Sequence, residues 1–585
     1  MNLKSIGRAG LIAAIGVTLL FSASCVKVNE HLGENLIPTD QKWDVFPQEA
    51  EPLRQIRLQM ADSLSGYSST RFTFGAVKDD ILGTTVKGTS FTLVPLADSL
   101  DFGKNPEVLS FHFSAIRDTL STVYDNQQRI IQNVYVSALK EPLDSTILYS
   151  GAFMDPEVRE KFLNTEVRIT EGVPVYDGGD SLSFDFSKEY AEQVLAGVQR
   201  FQQIEGPEGD SLSYYLKEVP GIYITSEEPA GKGGRINMFE INIEYDTNYG
   251  YITGNYAELK IRSDYGERTD VDTSFVFYFG PGDLLKNLED NEDIAQFAFN
   301  SSEHDTKTVY DKDGIVAGKE IYVEGGSGVK PVIKASEIRE IIERQMGEAG
   351  ITDIKEAVIN KATIILPYNV AGDYEALDKF PMIMSPTVKL RSTTGNYVTY
   401  AGLTDSSIDT ENQGDINRSL NMYSPDISHH VQEIMKVAKD ENYEKNISKY
   451  DIWFLIMHEE IEESSSSSSA MDSYYQNLMY NSYYNNMMYD PYGYGYGYGG
   501  YGGYGGYGYG GYGGYGGYGG YGYGSNYYNY YMMAMYASSY NNSSDESKGT
   551  VTLDKDRYYN AVLNGPTAER APQLKVTFSA PKTKK

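Results

Sequence analysis

Apolar residues recur along most of this chain in short alternating or continuous runs, which Gly, Pro, Asn and Asp separate. In Asn237–Tyr245, alternate positions form an apolar row and a mostly polar row. A period of two is expected for a strand that buries one face. Similar runs lie at Ser90–Val94, Val108–Phe113, Asn133–Leu139 and Gly221–Thr225. The pattern predicts a mainly β protein from about residue 51 to 462.

Two segments instead have the spacing of an amphipathic helix. Ala335–Gln345 places isoleucines on one face, and this helix is predicted to end near Gly347. Ser428–Ala438 places Val431 and Ile434 on one face. The β-rich region is therefore expected to contain a few short helices.

The order of elements repeats in the two halves of the β-rich region. Each half has an opening strand, a second strand that leads into a helix, a third strand and a closing strand. In the first half these are Val108–Phe113, Ser183–Ser187 with the helix Lys188–Gly197, Gly221–Thr225 and a run to Tyr245; in the second they are Ala362–Tyr368, Ser424–Ser428 with the helix from His429, Asp451–Met457 and Gln573–Phe578. Ser187 and Ser428 are predicted to cap their helices. The repeat predicts two related β-sandwich domains of jelly-roll-like form.

These patterns divide the chain into six regions. They are a lipoprotein signal peptide at 1–24, a tether at 25–50, a first β-sandwich at 51–248, a β-rich connecting segment at 249–350, a second β-sandwich at 351–462 and 549–580, and an insertion at 463–548.

The insertion has low sequence complexity. Six serines at Ser464–Ser469 open it, and 25 of the 51 tyrosines lie between Tyr474 and Tyr540. Its centre is built on Tyr-Gly and Tyr-Gly-Gly, which combine a high entropy cost of ordering with no aliphatic core. The segment is predicted to be disordered. Tyrosines on flexible spacers favour weak self-association, and an inert loop is the alternative.

The N-terminus has the pattern of a secretory signal. Lys4 and Arg8 precede an apolar stretch that ends in Ser22-Ala-Ser-Cys25. Small residues before the single cysteine of the chain resemble a bacterial lipobox, although Ser22 stands where Leu is usual. Cys25 is therefore predicted to carry the lipid anchor, with an ordinary signal peptide as the alternative. A lipidated Cys25 leaves no thiol for a disulfide, a metal site or catalysis. The residue after the cysteine is Val26, whereas an Asp there would resemble an inner-membrane retention signal, so the outer membrane is favoured.

Charge and local motifs narrow the function classes. The net charge of −31 argues against nucleic acid as a partner, because phosphate binding relies on Lys and Arg. His458-Glu-Glu lacks the second histidine of a zinc-protease motif, so His458 is interpreted as a strand-end residue. His429 and His430 are adjacent and are placed on a helix surface.

Two further segments favour turns over ligand sites. Gly325–Gly328 is predicted to be a tight turn and not a phosphate cradle. Tyr310–Ile315 is predicted to be a hairpin turn and not a calcium loop. The sequence thus predicts no catalytic, cofactor-binding or metal-binding residue, no cofactor, and no enzyme.

Several blocks resemble a Bacteroidota lipoprotein family known as domain of unknown function 4270. The blocks are Phe74–Asp80 with Leu82–Thr85, Gly221–Ile224, Tyr322–Gly328, Ile359–Thr363 and Arg570–Val576. The Tyr/Gly insertion departs from the family pattern. The resemblance implies a lipoprotein and supplies no activity. The repeat unit also faintly resembles jelly-roll modules that bind glycans on polysaccharide enzymes, a fold-level analogy that does not settle function.

The expected function is non-enzymatic binding or scaffolding by an outer-membrane lipoprotein. The expected partners are the membrane, through the lipid anchor, and an outer-membrane barrel protein, with weak self-association through the insertion. The alternative is a surface glycan-binding or adhesion lipoprotein, and a polysaccharide hydrolase comes third. Whether the chain faces the periplasm or the cell surface is left open.

Overall fold

The computed structural model describes residues 43–461 and 549–581. Shorter gaps within these ranges fall at residues 69–70, 96–99, 119–120, 122–129, 145–146, 205–210, 242, 247–250, 281–297, 312–313, 352–353, 355–356, 371–373, 392–397, 404 and 406–413. The predicted signal peptide, Cys25, most of the predicted tether and the predicted disordered insertion lie outside the described residues. Residues 43–47, which were predicted as tether, form a strand.

The described residues are mainly β, as the alternating pattern predicts, with antiparallel sheets and few short helices. The strands are β1 (Trp43–Pro47), β2 (Glu51–Pro52), β3 (Arg57–Met60), β4 (Tyr67–Ser68), β5 (Arg71–Asp79), β6 (Gly83–Pro95), β7 (Lys104–Ile116), β8 (Gln132–Ala138), β9 (Val175–Tyr176), β10 (Ser181–Asp185), β11 (Ile222–Ser226), β12 (Gly233–Glu240), β13 (Ile243–Asp246), β14 (Tyr251–Gly254), β15 (Tyr256–Tyr265), β16 (Arg268–Gly280), β17 (Ala298–His304), β18 (Ile315–Val316), β19 (Glu320–Glu324), β20 (Val329–Ile333), β21 (Val358–Pro367), β22 (Ile383–Arg391), β23 (Val398–Gly402), β24 (Ile416–Asn417), β25 (Met422–Tyr423), β26 (Ile452–Ile461), β27 (Gly549–Leu553), β28 (Asn560–Asn564) and β29 (Gln573–Pro581).

The helices lie between these strands. They are α1 (Pro156–Phe162), α2 (Lys188–Gln202), α3 (Ser211–Glu218), α4 (Ala335–Glu348), α5 (Ser428–Lys436) and α6 (Tyr443–Ile447), with 3-10 turns at Ala152–Met154, Asp305–Thr308, Tyr374–Lys379 and Ser448–Tyr450. In the part of the chain that the structure describes, no helix has the length and apolar character needed to cross a membrane.

The first body, residues 65–304, is built around the long strand β6. β6 pairs with β5, β11, β16 and β17 along its length, within a 12-stranded sheet. The sheet encloses an aromatic core to which Phe72, Phe91, Phe113 and Phe279 contribute. Such rings bury large apolar areas, so they supply much of the stabilisation of this body.

The second body is a sandwich of two antiparallel sheets. One sheet has the order β1-β29-β21-β25-β24, and the other has the order β18-β3-β20-β26-β22-β23. Ile364 and Leu574 from the first sheet share one core with Met384 and Phe454 from the second, and α4 contributes Ile338. The apolar face of each sheet is thereby buried against the other.

Strand pairing divides the chain differently from the predicted boundaries. β2 and β3, placed in the first predicted domain, pair with β29 and β20 of the second body. β15, β16 and β17 lie in the predicted connecting segment but pair with β7, β6 and β4 of the first body. The first body is therefore inserted into the second, between residues 64 and 315. Alternation identifies a strand but does not specify its partner, which long-range packing selects.

The predicted repeat is partly visible in the pairing. β7 pairs with β10 just before α2, with Phe113 opposite Phe184. β21 pairs with β25 before α5, with Leu366 opposite Tyr423, but β25 ends at Tyr423, so the strand predicted at Ser424–Ser428 is wrong. Each helix packs on its opening strand. The closing strand differs from the prediction, because the run Asn237–Tyr245 is interrupted after Glu240 and β15 pairs with β7 instead.

The two predicted helix caps have different outcomes. Ser187 caps α2 as predicted, because its side chain accepts a hydrogen bond from the Tyr190 amide. The prediction for Ser428 is wrong, since Ser428 is the first residue of α5 and its hydroxyl accepts from the Ala362 amide. The carboxylate of Asp405 accepts from the amides of His429 and His430 at 2.6 and 3.0 Å instead. A capping group from a distant segment leaves no local sequence signal.

His430 also departs from its predicted place on the helix surface. Its side chain is buried, and Nε2 lies 2.8 Å from the carbonyl oxygen of Tyr450. Burial lowers the pKa of His430 to about 4. Its neighbour His429 is half-exposed, as predicted.

We expect His430 to make the stability depend on pH. Its folded pKa lies below the ordinary value of about 6.5, so the unfolded chain takes up the proton first as pH falls. The neutral His430 side chain therefore contributes about 3 kcal/mol to the free energy of unfolding above about pH 6.5, and this contribution is lost as the pH falls towards 4. Urea unfolding between these pH values should therefore be less pH-dependent in His430→Gln than in the wild type. His429→Gln is the matched control, and an equal pH dependence in all three proteins would contradict the prediction.

The insertion separates two strands that pair with each other. β26 and β27 form an antiparallel pair in which Ile461 lies opposite Gly549. The two ends of the insertion are therefore close in space, and a short turn could join them.

We expect a chain in which Asn-Gly replaces residues 462–548 to fold and to gain stability. Closing a shorter loop costs less entropy, and the gain should be roughly 3 kcal/mol. Thermal and urea unfolding measure the change, and a Gly/Ser linker of the original length is the control. A loss of stability in both variants would mean that the insertion itself supports the sandwich, and a loss in the Asn-Gly variant alone would mean that the short turn strains the strand pair.

Candidate functional site

A group of buried polar side chains lies where the two bodies meet. Its members, called here the junction network, are Thr85, Lys87, Ser302, His304, Thr306, Glu324 and Lys330. His304 lies opposite Thr85 and Ser302 lies opposite Lys87 in the β6–β17 pair. Residues two apart on a strand share a face, so this pairing gathers polar groups where an apolar core would be expected.

Three members form a hydrogen-bonded relay. Ser302 Oγ lies 2.5 Å from His304 Nε2, and His304 Nδ1 lies 2.7 Å from Glu324 Oε1. Hydroxyls of Thr85 and Thr306 donate to the same carboxylate at 2.9 and 2.7 Å. Burial raises the pKa of Glu324, but His304 and these hydroxyls outweigh it and hold the value at about 2. A hydroxyl, an imidazole and an orienting carboxylate in this order match a serine catalytic triad.

The hydroxyl of this relay faces protein and not an open cleft. Ser302 is 2 % exposed, and a Cβ added at Gly326 would lie 2.6 Å from its Oγ. Ser327 Oγ also donates to the Ser302 carbonyl at 3.1 Å. A nucleophile needs space for a reacting carbon about 3 Å away, and the Gly326 backbone occupies that side of Ser302.

Lys330 ties the relay to the turn that covers it. Its Nζ donates to the carbonyls of Glu324, Gly326 and Gly328. Burial lowers the pKa of Lys330 to about 7, although Glu324 opposes the shift. The Gly328 amide donates to the Gly325 carbonyl at 3.1 Å, and Gly326 has a φ of +55°. The predicted tight turn is thereby confirmed.

Two further lysines connect the segment after β27 to the first body. Lys87 Nζ donates to the carbonyls of Lys555 and Asp556, both at 2.7 Å. Lys555 Nζ donates to the carbonyls of Ser65 and Tyr67. Burial lowers the pKa of both lysines, that of Lys555 to about 8. These reciprocal bonds fasten the two bodies to each other.

Asp554 organises the same segment from within the second body. Its carboxylate accepts from Arg557 Nε and Tyr559 Oη at 2.5 Å each, and His458 Nδ1 lies 3.8 Å away. Burial opposes the charge, but Arg557 and His458 outweigh it and hold the pKa of Asp554 below its usual range. His458 lies within β26 opposite Thr552, so its predicted strand-end position is wrong. Its contact with Asp554 is structural.

A cleft of about 380 Å³ opens beside the junction network. Its lining is mostly acidic and hydroxylic: Thr84, Val86, Met154, Glu228, Glu303, His304, Asp305, Lys307, Thr308 and Asp311. Glu303 forms an ion pair with Arg159, and burial raises its pKa. Its Oε1 is buried without a hydrogen-bond partner among the described residues.

The turn beside this cleft differs from the predicted hairpin. The Gly314 amide donates to the Asp311 carbonyl at 2.8 Å and Gly314 has a φ of +59°, so a turn forms. The strand after it, β18, pairs with β3 and not with β17. No three His, Cys, Asp or Glu side chains within the described ranges are grouped so that they could hold a metal ion.

Sequence reasoning did not bring Ser302, His304 and Glu324 together. In the sequence, His304 stands apart from the other histidines, and Glu324 lies directly before the glycine turn. The usable signal is a lysine inside each of two otherwise uncharged strands, Lys87 in β6 and Lys330 in β20. A lysine is rarely fully buried without partners, so each indicates a polar network in the core.

The blocks that suggested a lipoprotein family meet each other in space. Leu82–Thr85 and Tyr322–Gly328 contribute Thr85 and Glu324 to the junction network. Ile359–Thr363 and Arg570–Val576 pair in the second body. No family model, curated protein or solved structure matches the chain. The family resemblance therefore stays a prediction.

Proposed function

We propose that this chain is an outer-membrane lipoprotein, anchored through a lipid on Cys25, that acts by binding or scaffolding and not by catalysis. The observation that carries the proposal is the junction network. Its charged and polar groups bond to each other, and Lys87 of the first body donates to a backbone carbonyl of the second. Networks of this kind make a core rigid and specific, as a scaffold that presents fixed surfaces requires.

The relay Ser302–His304–Glu324 is the strongest argument for an enzyme, so it is the place to test the proposal. A reactive serine would be labelled by a fluorophosphonate probe. We expect no adduct on Ser302 in the folded chain, because Gly326 covers its hydroxyl. We expect Ser302→Ala to lower the free energy of unfolding by about 1–3 kcal/mol, as the loss of a buried hydrogen bond does.

Ser301→Ala is the matched control, since Ser301 is the adjacent residue and its hydroxyl donates to the Gly88 carbonyl. A probe adduct on Ser302 that disappears in Ser302→Ala and remains in Ser301→Ala would contradict a purely structural role. It would also revive the hydrolase alternative.

The anchor and the partner are tested in cells. Mass spectrometry of the intact mature chain should show diacylglycerol and fatty acids on Cys25. The Cys25→Ser variant should no longer be found in the outer-membrane fraction. Cross-linking in intact cells should then join the wild-type chain to an outer-membrane barrel protein. An unmodified Cys25 in the mature chain would overturn the anchor.

Glycan binding is a second candidate, favoured by the cleft beside the junction network. Glu228, Asp305 and Thr308 offer the carboxylate and hydroxyl groups that bind sugar hydroxyls. None of the described lining residues is aromatic, so the cleft lacks a stacking platform. Glycan-array binding that is lost in Asp305→Ala and kept in Asp180→Ala would favour this function. Protease shaving of intact cells decides whether the chain can meet external glycans at all.

A further inference from the structure

The solvent face of the sheet that begins the described chain combines exposed apolar side chains with lysines. Trp43 is 47 % exposed, Val45 61 % and Val358 45 %. Val45 and Val358 both lie opposite Ser579, so they flank β29 in one row. The alternate residues Phe46 and Phe578 stack at 5.7 Å, and Phe578 belongs to the core. This β1 face comprises the outward residues of β1, β29 and β21.

The charge of the β1 face differs from that of the whole chain. Its described outward positions include Lys361, opposite Thr577, and Lys575, opposite Thr363. Those positions include no acidic residue, although the chain carries a net charge of −31. Trp43 lies opposite Pro581 at the edge of the same face. The face is therefore complementary to an anionic surface.

The length of chain before β1 sets how far this face lies from the proposed anchor. Only the 17 residues 26–42 separate Cys25 from Trp43. They reach roughly 60 Å at full extension, and a flexible linker of this length has an end-to-end distance of about 20–25 Å. β1 is thus the described element that the anchor holds nearest to the lipid.

We propose that the β1 face docks on the anionic bilayer in which Cys25 is anchored. Trp43, Val45 and Val358 enter the headgroup region, where tryptophan is favoured because its ring is amphipathic. Lys361 and Lys575 meet lipid phosphates. The docking rests on the proposed lipid anchor and adds an orientation to it, because the sandwich lies against the membrane by this sheet.

The test uses the full lipidated chain in vesicles. The protein has two tryptophans, and Trp453 is 7 % exposed, so the difference between wild type and Trp43→Phe reports Trp43. The vesicles contain phosphatidylcholine with brominated acyl chains, with or without phosphatidylglycerol. We expect a blue shift and about a twofold loss of Trp43 emission with phosphatidylglycerol, and a smaller loss without it or at high salt.

Charge reversal supplies the matched variants. Lys361→Glu with Lys575→Glu should weaken the quenching, whereas Lys260→Glu on the first body should not. A vesicle-borne, lipidated chain whose emission is quenched no more than that of Trp43→Phe would overturn the docking and leave the anchor intact. A chain without lipid on Cys25 would overturn both. A blue shift in lipid-free detergent that grows with protein concentration would assign the face to a second copy, and would also overturn the docking.

Discussion

Glu324→Ala should lower the free energy of unfolding by about 3–5 kcal/mol, because it takes a buried carboxylate away from the groups that donate hydrogen bonds to it. The substitution takes the acceptor from His304 Nδ1, from the hydroxyls of Thr85 and Thr306, and from the Val329 amide. It also removes the carboxylate that favours the charged form of Lys330. Urea unfolding followed by far-ultraviolet circular dichroism measures the change.

Glu320→Ala is the control, because Glu320 is an exposed residue of the same strand and bonds only to Tyr322 Oη among the side-chain contacts described. We expect its effect to stay within about 0.5 kcal/mol. Equal effects of Glu320→Ala and Glu324→Ala would mean that the junction network does not stabilise the fold. In the wild type, the Glu324 contribution is complete above about pH 4.3 and is lost as pH falls towards 2, because the folded pKa is the lower one.

Phe113→Ala should lower the free energy of unfolding by about as much as Glu324→Ala does. Loss of a large aromatic side chain from a core costs about 3–5 kcal/mol. Phe113 is fully buried, and its ring lies 4.6 Å from that of Phe184 and 4.7 Å from that of Phe279. The substitution leaves a cavity in the first body, and neighbouring rings can fill only part of it. Thermal and urea unfolding measure the loss.

The same variant tests whether the two bodies unfold together. Trp453 is buried in the second body, so its fluorescence should report the Phe113→Ala transition at the same urea concentration as circular dichroism. Leu109→Ala is the control on the same strand, since Leu109 is 42 % exposed. Separate transitions for the two signals would mean that the junction network does not couple the bodies.

Alternation in the sequence is enough to predict the strands, because each strand needs one apolar face. It is not enough to predict where a strand ends or which strand it joins. Asn237–Tyr245 reads as one run, yet β12 ends at Glu240. Asp405 replaces Ser428 as the cap of α5, since a carboxylate brought by the fold can bind the same free amides.

The junction network could not be predicted for the same reason. Ser302 and His304 lie on one strand, but Glu324 joins them only when the last residue of β19 meets the last residue of β17 in the folded chain. The buried lysines indicate in the sequence that a polar network exists. They do not indicate which groups accept their hydrogen bonds, because these acceptors are backbone carbonyls. A carbonyl is available at every residue, so no residue type identifies those partners.

The insertion of the first body into the second sets an order of events during synthesis. Residues 65–304 form a continuous stretch, so the first body can fold as soon as it emerges. β1 and β2 emerge before it, but their partner β29 is made after it. The N-terminal strands must therefore wait for β29 with their backbone groups unpaired. Closing so long a loop is slow, which makes this edge the point where a chaperone would have most to protect.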